Sequence, residues 1–140
     1  MRKPFTYSLS DNDVLTIISV LTVMVNELPD SDLVSPEIIS QALYYGDQAL
    51  ETLSNGGNQI SNNQLSAIHM ALQLADGIIS GQVPASNDSI ELCKNSLFSI
   101  RKLLSVFDKY FSLRNVVPRQ GTEISIHLFE HRTINFIDNM

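Results

Sequence analysis

The pentapeptide His127-Leu128-Phe129-Glu130-His131 has the spacing of a zinc-hydrolase motif. On a helix its two histidines would lie one turn apart on one face and share a metal, with Glu130 beside them as a base. The surrounding residues argue for another shape. Glu123-Ile124-Ser125-Ile126-His127-Leu128 alternates polar and apolar, and Thr133-Ile134-Asn135-Phe136 does so again. That period belongs to strands. The further protein ligand such a motif takes from downstream would have to come from the nine residues after His131, where Asp138 is the sole acid. The spacing therefore predicts a hairpin over 122–137 with two surface histidines, and neither metal nor cofactor. Setting Leu128 opposite Ile134 and Ile126 opposite Phe136 gathers these four apolar residues on one face and leaves Glu130-His131-Arg132 as the turn. A lone hairpin is marginal, so this face is expected to need a partner.

Other reactive residue types read as structural. His69 sits between Ile68 and Met70 in a helical stretch, with no cysteine or second histidine nearby. Cys93 falls on an apolar seam, where a buried inert thiol is expected, since reactive thiols need an accessible electropositive setting. Asn55-Gly56-Gly57-Asn58 lacks the lysine of a phosphate loop and follows a helix instead of a strand. It reads as a helix-ending turn. Tyr44-Tyr45 could anchor a partner, because interfaces favour aromatics. The expected split is one tyrosine in the core and the other at its rim.

Charge is laid out unevenly. The net charge is −6, yet from Pro4 to Cys93 there is no lysine or arginine and there are eleven carboxylates. Seven of the nine basic residues lie between Lys94 and Arg132. On a helix Lys94, Arg101, Lys102 and Lys109 fall within about a third of the circumference, flanking the apolar seam. Such a stripe could meet phosphates or an acidic protein surface, or balance the chain's own acids. A helix-turn-helix drawn through 36–80 would have a recognition helix with no basic residue, which speaks against specific DNA binding.

The elements that hold these residues can be read from caps and periodicity. Helices are expected at about 11–28, 36–54, 62–80 and 88–113. Ser10, Ser35 with Pro36, Ser61 with Gln64, and Ser86 or Asp88 open them. Glycines after the second and third supply C-caps. The first helix, apolar nearly all round, should be central in its bundle. Its 12-residue apolar run, Val14–Val25, is too short to span a bilayer and is preceded by Asp11 and Asp13. In the fourth helix, Ile90, Cys93, Leu97, Ile100, Leu104, Phe107 and Phe111 form a seam over three heptads.

The expected fold is mainly α: a four-helix bundle with a C-terminal β-hairpin, over one domain, 1–140. The alternative is five helices without a hairpin. The expected function is binding: a small acidic, non-enzymatic cytoplasmic protein acting on another protein as adaptor, regulator or inhibitor. The lone cysteine suits a reducing compartment. Self-association, with a dimer favoured, is expected from the long seam and an exposed hairpin edge. A nucleic-acid-associated protein using the basic stripe is the alternative, and a zinc-dependent hydrolase through His127, Glu130 and His131 the third.

Overall fold

The computed structural model describes residues 5–32, 34–57, 59–116, 123–128 and 132–137. The fold is mainly α. Helix α1 spans Asp11–Glu27 and runs into one turn of 3-10 helix, Leu28–Asp30. Then come α2 (Pro36–Ser54), α3 (Asn62–Ile79), α4 (Asn87–Asn95) and α5 (Leu97–Val116). Four short strands are interleaved: β1 (Phe5–Leu9), β2 (Gln59–Ser61), β3 (Glu123–Leu128) and β4 (Arg132–Ile137).

Local chemistry starts and stops the first three helices where the sequence predicts. Ser10 and Ser61 each complete a capping box, with Asp13 and Gln64 returning the hydrogen bond to the cap backbone. Ser35 and Ser86 cap α2 and α4. At the end of α2, Gly56 adopts φ 78°, which a side chain would resist. Gly57 N–H then reaches Thr52 O at 2.7 Å and Gly56 N–H reaches Leu53 O, the paired bonds of a Schellman turn. The same pattern closes α3 through Gly81.

The predicted fourth helix is two helices. Ser96, at φ −114° and ψ 21°, leaves helical geometry and ends α4, and α5 starts at once. The apolar seam survives this break. Of its members Cys93, Ile100 and Phe107 are buried and Ile90, Leu97, Leu104 and Phe111 half-buried, with Leu103 beside the seam also buried, and α5 packs on α1 and α3. The seam is thus consumed inside the bundle. Helices α1 and α3 form the middle of the molecule, as the all-round apolar character of α1 predicts. Helix α2 packs on both of them, and so does the α4–α5 arm, but α2 and that arm have no substantial contact with each other. At the α1–α2 crossing Gly46 leaves room for Met24, whose Cε would lie 2.7 Å from any added Cβ.

The hairpin is present in a register two residues away from the predicted one. Ile126 faces Ile134, Ile124 faces Phe136 and Leu128 faces Arg132. Arg132 therefore belongs to β4 and not to the turn, and residues 129–131 lie outside the described residues. The shift is an even number of residues. The hairpin edges are not bare. Strand β1 pairs in parallel with β3, and β2 in parallel with β4, giving the order β1-β3-β4-β2. Leu9 lies in the row of Leu128, and Ile60 in the row of Phe136. Both Leu9 and Ile60 are buried. The rows expected to need a partner thus include residues of the core.

Candidate interaction surface

The three groups most able to do chemistry are each tied into the scaffold. Asp13, 1% exposed, accepts from Ser10 N–H through Oδ2. Its Oδ1, without a hydrogen-bond partner among the described residues, forms an ion pair with Lys102 Nζ at 2.8 Å. Glu27, at the end of α1, accepts from Ser89 Oγ at 2.7 Å and Ser86 Oγ at 2.9 Å, and from Ser86 N–H. These bonds, that of Ser89 foremost, hold its carboxyl below the usual range against a smaller opposing effect of burial. They fasten α1 to the start of α4. His69 Nε2 lies 2.6 Å from Asp108 Oδ1 and stacks on Phe111 with ring centroids 4.7 Å apart. That arrangement fastens α3 to α5.

Cys93 is buried, and desolvation, with the nearby negative charge of Glu27, pushes its thiol up to about 11. It is a core side chain. A small apolar gap beneath β1 and β2, lined by Leu9, Ile17, Leu53, Ile60, Leu65 and Phe107 among others, offers no polar group to a substrate.

His127 lies in β3, opposite Thr133. A strand cannot place it one helical turn from another residue, so the helical geometry required by the metal motif is missing at its first member. Glu130 and His131 lie outside the described residues. Among the described residues no group of three potential metal ligands comes together.

The basic stripe divides. Lys102 is engaged with Asp13, and Arg101 Nε stands 3.6 Å from Asp76 Oδ1. Balancing of the chain's own acids accounts for this half. Lys94, in the last turn of α4, and Lys109, on α5, are exposed and make no ion pair with a described residue. The tyrosines divide too. Tyr44 is 60% exposed, while Tyr45 packs against the core and meets Tyr44 edge-on at 5.0 Å. Helix α2 carries this pair away from the basic stripe, so the structure does not bring the two candidate sets together.

Phe98 is the residue that periodicity overlooks. It is 88% exposed, more than any other large apolar side chain among the described residues. It stands in the first turn of α5, just past the Ser96 break. From it, Lys102, Ser105 and Lys109 follow at steps of three or four residues, and Arg101 adjoins them. All are exposed. The signal was available: an aromatic off the seam set by Leu97, Ile100 and Leu104, with a lysine one turn on. The α4–α5 elbow therefore presents an uncovered aromatic ring on a helix face that continues with Lys102 and Lys109.

Compared with protein-family models, with curated proteins and with solved structures, the chain matches none. Among the described residues no helix is long and apolar enough to cross a membrane.

Proposed function

We propose that this chain is a non-enzymatic binding protein, an adaptor, regulator or inhibitor that engages a protein partner through the α4–α5 elbow. The observation that carries this reading is Phe98, 88% exposed in the first turn of α5, with exposed Arg101, Lys102 and Lys109 further along the same helix and exposed Lys94 in the last turn of α4. Burying one aromatic ring contributes about 1.5–3 kcal/mol, and aromatics flanked by arginine recur at the centres of protein interfaces. Lys94 and Lys109, exposed and in no ion pair with a described residue, favour a partner with an acidic surface. The non-enzymatic part is supported by how the ionisable groups are spent: Asp13, Glu27 and His69 each hold one helix to another. A reducing compartment such as the cytoplasm suits the lone buried thiol.

A photo-crosslinking phenylalanine analogue placed at position 98, in the source cell, tests this. A discrete protein adduct is expected, lost when Lys94 and Arg101 are changed to glutamate. A nuclease-sensitive adduct would instead favour the nucleic-acid reading, in which bases stack on Phe98. Equal labelling from the same probe at exposed Gln73 would overturn the elbow as a site.

A further inference from the structure

The solvent-facing row of α2 is the chemical counterpart of the elbow. Glu37, Gln41, Tyr44, Asp47 and Glu51 follow at steps of three or four residues, and all are exposed. The row holds three carboxylates, one aromatic ring and no cation. The elbow helices hold one exposed aromatic ring and four cations, of which Lys94 and Lys109 make no ion pair with a described residue. Within one chain these two surfaces do not come together: each packs on α1 and α3 and neither substantially on the other.

We infer that the partner of the elbow is a second copy of this chain, which docks its α2 row, centred on Tyr44, against Phe98. The inference rests on the elbow being the binding surface. It does not use the seam or the hairpin edges, since the bundle and the sheet already occupy those. The pairing joins two different patches, so it is heterologous. Each docked copy leaves one elbow and one α2 row open, and growth continues until a ring closes or a filament forms. Opposite charges set the orientation, and the two rings supply the desolvated centre. A net charge of −6 opposes association of whole molecules, so the contact depends on its local complementarity. High salt weakens it by screening the paired charges.

Size exclusion with light scattering over a concentration series tests this, using wild type, Phe98→Glu and Tyr44→Glu. Both substituted residues are exposed, and circular dichroism checks that each variant stays folded. Wild type is expected to grow with concentration past the mass of a dimer. Each variant alone is expected to bind at least about thirtyfold more weakly, as for loss of an interface hot spot, and to run as a monomer. The two mixed are expected to give a one-to-one heterodimer that grows no further, because one intact elbow still meets one intact α2 row. A wild type that stays monomeric overturns the inference, as does a mixture that stays separate. So does either variant dimerising alone as well as wild type. If the purified chain is monomeric while the probe at 98 captures a different protein, the elbow reading stands and the second copy is wrong. If neither occurs, both fail.

Discussion

Lys102 Nζ lies 2.8 Å from Asp13 Oδ1, and the two ends of this pair differ sharply in exposure: the lysine side chain is 50% exposed, the aspartate 2%. The pair links α5 to the first turn of α1. The asymmetry decides which partner can be removed. Without Asp13, the lysine ammonium can turn to water. Without Lys102, a buried carboxylate is left with only a backbone N–H.

Lys102→Met should therefore cost more than Asp13→Asn. About 2–3 kcal/mol is expected for the first, less than for a fully buried pair because the lysine is half in water. About 1 kcal/mol or less is expected for the second, because the amide oxygen of the substituted side chain can still accept from Ser10 N–H at the helix cap. Urea midpoints of the two variants check the order. The reverse order would mean that the buried carboxylate does not depend on Lys102.

Glu27 gives the fold an acid-sensitive joint. Its carboxyl sits below the ordinary 4.5 because Ser89 and Ser86 hydrogen-bond to the charged form. A carboxylate with a depressed folded pKa contributes stability that is full above its unfolded value and lost as pH falls through the folded one. The contribution of Glu27 is therefore whole at neutral pH and drains away below 4.5. Glu27→Gln should lower stability by about 1–2 kcal/mol at neutral pH. Its deficit should shrink as pH is taken below that point. Unfolding curves for both proteins across acid pH check it; a deficit that stays constant would assign the loss to packing.

What could be read from the chain was local, and what could not was pairwise. The four serine caps, Ser10, Ser35, Ser61 and Ser86, each act within a few residues, so their helices begin where the sequence puts them. Ser96 breaks one helix into two without disturbing the heptad rhythm of Cys93, Ile100 and Phe107, so periodicity passes over it. Strand β1 alternates Phe5, Thr6, Tyr7, Ser8 and Leu9, yet its meaning lies in pairing with β3 near the far end of the chain. Strand β2 is too short to show a period at all. The two hairpin strands were legible from alternation, and their register was not, because a slip of two residues leaves the alternation in phase. Lys102 was legible as a cation, but its engagement with Asp13 depends on how α5 crosses α1.

Cys93 should behave as a core atom and not as a reagent. Burial, with Glu27 nearby, raises its thiol from 9.0 to about 11. Native protein at mildly alkaline pH should react with an aromatic disulfide reagent only at the rate of unfolding, and in full once urea is added. The raised value also has a sign for stability. The contribution of the protonated thiol is complete below 9.0 and is lost as pH rises toward 11. Cys93→Ala should remove that alkaline dependence, at a cost from the smaller side chain that is the same at every pH. Fast labelling of the folded protein would show that the site opens.

Two phenylalanines on α5 should separate folding from binding. Phe107 is 2% exposed between α3 and α5, and Phe98 is 88% exposed at the elbow. Phe107→Ala removes a packed ring and should cost about 3–5 kcal/mol. Phe98→Ser removes no packed contact and should leave the urea midpoint within about 0.5 kcal/mol of wild type. If Phe98 is held uncovered for a partner, its loss should raise solubility while abolishing the growth in mass with concentration. A Phe98→Ser protein destabilised by more than about 1 kcal/mol would place the ring in the core of this chain, since changes at exposed positions rarely reach that size. The elbow would then have no free aromatic to offer.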